Sequence, residues 1–401
     1  MLTRRNFLKT GAACATLAIA GTRARLAFAA LPDDRRFAVV IIRGGLDGLA
    51  AVPAYGDPNY ASLRGSLALP RTGAGAPFDL DGFFGLHPAL RNLAAMWRAK
   101  ELAVYHNVST PYRDRSHFDA QNVLETGATK PRALIGGWLN RALAPLGFDD
   151  GKSAMAVSSS PPLILDGASR VASWTPVHGP VADEEFFERV SALYAKDPVL
   201  SGALKNGLAT RKTVAAAREA DPASAMSQPQ GDIATMMEGA GRIMAADGGA
   251  RVAAFDVSGW DSHLNQGAAE GVLARRLQAL DDGLGWLKSS MGSAWQKTAV
   301  VAVSEFGRTV RVNGTGGTDH GTAGMALVLG GAVAGGIVHA EWRGLTSSVL
   351  RDGRDLPAQT DTRAIFKGAL AEHLGVPAQA LDNSIFPESS DAPALKGLIR
   401  A

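Results

Sequence analysis

Short apolar runs that stop at glycine or at a charged residue recur along this chain, and they predict buried strands. The first runs from Arg36 to Arg43. Others cover Leu102 to Tyr105, Ala154 to Val157, Arg251 to Val257, Thr298 to Val303, Met325 to Leu329 and Ile337 to Trp342. Between them the apolar spacing changes to three and four residues, which predicts helices. These fall at Ala89 to Lys100, from Ser116 to Glu125, at Trp138 to Ala144 (ended by Pro145), at Glu184 to Glu219, at Ile233 to Ala246, at Ala269 to Ser290 and at Asp361 to Leu374. Continuous apolar strands alternating with helices predict an α/β fold: a doubly wound three-layer sandwich around a mostly parallel central sheet. Residues 159–230, with Pro161, Pro162, Pro176 and Pro180 and a polar stretch opening at Asp221-Pro222, read as an insertion. The tail from Pro377 reads as peripheral.

In such a sheet ligands bind beyond the carboxyl ends of the strands, so the residues at those ends carry the chemistry. The first strand runs into Gly44-Gly45-Leu46-Asp47-Gly48. The second is followed by Arg113-Asp114-Arg115-Ser116-His117. Arg251 to Val257 runs into Gly259-Trp260-Asp261-Ser262-His263, and Thr298 to Val303 into Ser304-Glu305-Phe306-Gly307-Arg308. A glycine-rich loop then ends in Asp319-His320-Gly321. Asp, Glu and His without Cys suit one or two divalent ions, Zn²⁺, Mn²⁺ or Mg²⁺. The expected ligands are Asp47, Asp261, His263, Glu305, Asp319 and His320. Ser116, at a helix start, reads as an N-cap or as a nucleophile near the helix dipole. His117 reads as a ligand, a base or a buried structural imidazole. Arg113 and Arg308 would bind the anionic part of a substrate.

Composition adds compartment and partners. With 46% hydrophobic and 20% charged residues over 401 positions, the chain fits a packed globular protein. The first 29 residues contain Thr3-Arg4-Arg5-Asn6-Phe7-Leu8-Lys9, a small-residue apolar stretch and Ala27-Phe28-Ala29, which fit a twin-arginine signal with a cleavage site. Residues 30–401 are then one domain, exported to the periplasm or beyond with no stable membrane anchor after cleavage. The leader holds five basic residues and no acid, so its removal turns a formal charge of +3 into −2. Nothing in that balance indicates a nucleic-acid partner. The only cysteine, Cys14, lies in the leader, which excludes disulfides and thiol chemistry from the mature chain.

Taken together, the leader, Arg43-Gly44-Gly45-Leu46-Asp47-Gly48, Ser116-His117-Phe118-Asp119, Gly259-Trp260-Asp261-Ser262-His263, Ser304-Glu305-Phe306-Gly307-Arg308-Thr309 and Asp319-His320-Gly321 resemble the family called domain of unknown function 1501. That family is similar to the alkaline phosphatase and sulfatase superfamily. The resemblance implies an alkaline-phosphatase-like fold and a metal-dependent site that hydrolyses phosphate or sulfate esters, with Asp47, Ser116, Asp261, His263 and His320 in the superfamily's order. Two departures stand out. Where the superfamily has adjacent Asp-His, this chain has Glu305-Phe306, or else Asp319-His320 on a longer loop. No Cys-x-Pro-x-Arg signature is present, which excludes a formylglycine sulfatase of the cysteine type. The alternative expectation is a non-catalytic exported protein that binds a partner on a degraded hydrolase site.

Overall fold

A computed structural model describes residues 34–158, 161–176, 184–202, 204–205, 207–209 and 232–400. The leader, with Cys14, and much of the expected insertion lie outside these residues. The strands are β1 (Arg36–Arg43), β2 (Phe78–Asp79), β3 (Gly85–Leu86), β4 (Leu102–Ser109), β5 (Asp150–Val157), β6 (Arg170–Trp174), β7 (Val252–Ser258), β8 (Thr298–Val303), β9 (Gly324–Leu329), β10 (Ile337–His339) and β11 (Thr360–Asp361). Nine of them form one sheet in the order β10-β4-β9-β8-β1-β7-β5-β6, with β11 also on β4; β2 and β3 form a separate hairpin. Only β9 runs against its neighbours, β4 and β8. The mostly parallel α/β sheet is therefore as the apolar runs predict.

Each central strand buries both faces, which is why its sequence is continuously apolar rather than alternating. Ala38, Val40 and Ile42 of β1 enter one core, and Phe37, Val39 and Ile41 the other. The helices Arg91–Arg98, Asp232–Ala245 and Val272–Met291 cover the first face. Trp138–Leu146 and Thr362–Leu374 cover the second. Each large side chain sealed this way contributes about 1.5–3 kcal/mol. Two expectations are corrected. Pro145 does not end its helix, which continues to Leu146 and stops at left-handed Gly147; a proline in a final turn forfeits only one main-chain bond. The tail is not peripheral, because Leu381, Ile385, Phe386 and Leu398 are buried in the second core.

Register sets the height of the strand ends. Arg43 pairs with Ser258 and Ile41 with Val303, so β1, β7 and β8 finish side by side on one edge. β4 runs in the same sense, and the loop ahead of antiparallel β9 returns to that same edge. Among the described residues no helix is long and apolar enough to cross a membrane.

Candidate metal centre

Four chain segments meet over this edge. The helix His117–Thr126 brings His117, the exit of β7 brings Asp261 and His263, the exit of β8 brings Glu305, and the loop before β9 brings His320. Ligand atoms of His117, Asp261 and His320 lie within 4.8 Å of one another. The Nε2 atoms of His117 and His263 each stand 3.0 Å from Nε2 of His320. The Asp261 carboxylate is 3.1 Å from His263, 3.3 Å from His320 and 3.5 Å from His117. The Phe306 ring packs against His117 and His320, with centroids 4.7 and 5.0 Å away, and forms an apolar wall behind both imidazoles.

The outer nitrogens decide what the inner ones can do. Nδ1 of His117 faces the Glu305 carboxylate at 2.7 Å, Nδ1 of His320 faces the Arg115 carbonyl at 3.0 Å, and Nδ1 of His263 faces Asp319 at 3.2 Å. Carboxylates and carbonyls only accept, so each Nδ1 carries the hydrogen. A neutral imidazole then points a bare Nε2 lone pair inward. Lone pairs 3.0 Å apart, as His117 and His263 each have with His320, repel and favour a cation between them, and this is how metal-bound histidines are held from outside. Ligands about 2 Å from a tetrahedral ion lie roughly 3.3 Å apart, close to the separations among His117, Asp261 and His320. The residues therefore fit a divalent metal. Two imidazoles and one carboxylate, with His263 beside them, suit Zn²⁺ or Mn²⁺ better than Mg²⁺, which takes oxygen ligands.

Charge runs through the surroundings of the cluster. The hydrogen bond that His117 donates to Glu305 raises the His117 pKa against the opposing effect of burial. Burial lowers that of His320. Burial pushes Asp261 up, but the Arg308 guanidinium outweighs it and holds the carboxyl below its ordinary value. Glu305 is likewise pushed up by burial and held low by bonds from His117 and Gln121.

Several expected roles change. Glu305 is fully buried and is not an inward-facing ligand: Oε1 accepts from Gly44 N, Gln121 and His117, and Oε2 from Ser304. It orients His117 instead. Asp47 is not in the cluster either. It caps the short helix Gly48–Ala51, accepts from Gln266 at 2.8 Å and is paired with buried Arg64. Gln266 accepts in turn from Ser262 and Thr318, so Asp47 braces the two ligand-bearing loops from below. Arg308 is buried and donates to the carbonyls of Gly44, Gly45 and Thr318 and to Asp261, which commits it to the scaffold rather than to a substrate. Arg113 donates to Ser109 Oγ and to the Tyr112 carbonyl. Asp319 stands behind His263 rather than among the inward-facing atoms. His117 instead joins Asp261 and His320 as a residue whose inward atom could hold a metal. Ser116 is the N-cap residue of its helix without a side-chain capping bond. Sequence reasoning missed Gln121, Arg115, Arg64 and Gln266; only Gln121, one helical turn after His117, left a readable spacing.

Gly44 holds this assembly at close quarters. Its φ is +122°, and a Cβ there would lie 2.6 Å from Asp261 N. Gly44→Ala is expected to lose about 1–3 kcal/mol of stability through the left-handed backbone alone, and to displace the Asp261 loop. Thermal unfolding and metal titration together check both effects.

A family model described as "Protein of unknown function (DUF1501)" matches residues 91–383. No curated protein sequence matches the chain. Solved structures overlap with it loosely. The C-terminal periplasmic domain of EcEptC from Escherichia coli, in complex with Zn, aligns at 11% identity over 74% of this chain and 73% of that one, with a TM-score of 0.34. Phosphonate monoester hydrolase of Agrobacterium radiobacter aligns at 11% identity over 86% and 74%, with a TM-score of 0.37. A protein in the alkaline phosphatase superfamily from Vibrio parahaemolyticus aligns at 12% identity over 74% and 60%, with a TM-score of 0.30. Overlaps at these scores carry no argument about chemistry.

Proposed function

We propose an activity for this chain, which belongs to the DUF1501 family of proteins of unknown function: it is an exported, metal-dependent hydrolase of phosphate or sulfate esters. One observation carries the reading. The imidazoles of His117 and His320 are fixed from outside with their Nε2 atoms beside Asp261, with His263 against His320, and such an arrangement favours a cation between them. A divalent ion held by His117, Asp261, His263 and His320 would polarise an ester oxygen and neutralise charge developing on it.

The chain's own residues would do the rest. Ser116 precedes His117 at the start of a helix, where the dipole favours negative charge, and its hydroxyl is not spent on capping. It is the proposed nucleophile. Glu305 fixes the His117 ring, and Arg308 holds Asp261 in place. Phe306 supplies a dry wall that strengthens the electrostatics in front of it. The twin-arginine leader would carry the chain, folded and metal-loaded, to the periplasm. There an anionic ester, small or polymeric, is the expected substrate.

A rival reading is a non-catalytic binding or structural protein. It draws support from Asp47 and Arg308, two residues expected at the site whose charged groups are consumed inside the scaffold. Elemental analysis of protein purified without chelator, followed by assay on nitrophenyl phosphate and sulfate, separates the two. The proposal expects stoichiometric metal and turnover that EDTA abolishes. Ser116→Ala should lower turnover by at least about a thousandfold, as removal of a nucleophile does elsewhere, with metal content unchanged. A variant as active as wild type removes Ser116 from the mechanism.

A further inference from the structure

We infer that Asp355 is the positioning residue for His320, acting on its ring and its main chain through two arginines. Asp355 is fully buried. Its backbone pairs with Thr309 and Arg351, and the Asp352-Gly353 turn between them takes positive φ at both residues, as Asp-Gly turns tolerate. Its Oδ2 accepts from Arg115 Nε at 2.8 Å and from Thr322 Oγ1 at 2.7 Å, and its Oδ1 is ion-paired with Arg354 Nε at 3.0 Å without hydrogen-bond geometry. Both arginines then reach His320. The Arg115 carbonyl accepts from Nδ1 of the ring, and Arg354 Nη2 donates to the His320 carbonyl at 2.6 Å.

The backbone of Arg115 shows why a buried carboxylate is needed. Its φ is +63°, a conformation that costs a residue with a side chain about 1–3 kcal/mol. Such a conformation persists only where surroundings enforce it. Asp355 does so from the buried side. Asp352 also contacts Arg115, but is more than half exposed and holds it weakly. Freed from Asp355, Arg115 can relax to negative φ and turn its carbonyl away. Nδ1 of His320 then loses its acceptor, and the hydrogen can move to Nε2, where it blocks the lone pair that faces His117 and His263.

The first arm of the test reads this chain without metal or substrate. Long-range ¹H–¹⁵N correlations on the labelled apo protein show which ring nitrogen of His320 is protonated. Wild type should be wholly Nδ1–H. Asp355→Asn keeps the shape but turns one oxygen into a donor facing guanidinium, and should give a mixture of tautomers. In the same variant, Co²⁺ affinity should fall about 10–100-fold, the usual cost of losing an outer partner, with an altered visible spectrum. An unmixed Nδ1–H tautomer and an unchanged Co²⁺ dissociation constant in folded Asp355→Asn would overturn the inference. If that variant does not fold, Arg115→Lys decides in its place. Lysine keeps the charge but loses the fork that reaches Asp355, so a partial tautomer shift is expected, and none would refute the role. The inference rests on the metal-site reading only in its Co²⁺ arm. A pure tautomer in a wild type that binds no metal sinks the proposed function, whereas a mixed tautomer in wild type sinks the positioning role by itself.

Discussion

A His320→Ala chain is expected to fold and to lose its affinity for Zn²⁺ or Mn²⁺ by well over a hundredfold. The geometry makes this the largest single loss at the site. Nε2 of His320 is the atom the others share: it stands 3.0 Å from the Nε2 atoms of both His117 and His263, and 3.3 Å from Asp261. Losing a mere outer partner costs about 10–100-fold in affinity, so losing the central ligand costs more. The fold should tolerate the change. His320 lies on a loop with its side chain about a quarter exposed, and its main-chain bonds to the β8 exit and to Arg354 do not need the ring. Competition against a calibrated chelator gives the dissociation constant, and the melting temperature of the apo protein gives the control. Retention of affinity within tenfold of wild type would place the ion elsewhere.

The strands were legible because a sheet buried on both faces writes itself as continuous apolar runs, and Arg36–Arg43 and Thr298–Val303 match their expected bounds residue for residue. The edge that carries chemistry was legible for the same reason, since polar residues appear where those runs stop. Which polar residue faces inward was not. Asp47 and Glu305 both follow a buried strand directly, and both read as ligands. What turns them into braces lies far away in sequence: Arg64 and Gln266 for Asp47, and the Gly44 amide, Gln121 and His117 for Glu305. A carboxylate's role depends on how many donors reach it, and donors from distant segments leave no local pattern. Arg115 is a sharper case. An arginine at φ +63° is invisible to any periodicity, yet its carbonyl sets the tautomer of His320. The Pro145 helix and the buried tail show the complementary error. Local preference gave way to packing, because Leu146 and the residues around Phe386 close gaps over the second face of the sheet.

The second large effect concerns the brace beneath the site. Arg64 and Asp47 are paired by Nη2 and Oδ2 at 2.5 Å, with side chains 0% and 2% exposed. Arg64→Met leaves the carboxylate buried, with only the Ala50 amide and the Gln266 side chain as donors. Removing one partner of a buried pair costs about 3–5 kcal/mol, whereas replacing both is often close to neutral. Arg64→Met should therefore lose that amount in urea unfolding, a large share of the ~5–15 kcal/mol typical of a domain. Asp47→Asn should lose a similar amount by leaving the guanidinium unpaired. The double variant should recover much of the loss, giving a coupling energy of more than about 1 kcal/mol. The same set tests the reassignment of Asp47. As a brace, its replacement weakens the fold but leaves one metal site per folded chain; as a ligand, its replacement would abolish that site at temperatures where the protein is still folded. Metal stoichiometry measured on folded Asp47→Asn decides between them: an unchanged ratio removes Asp47 from the ligands, and a lost site restores it.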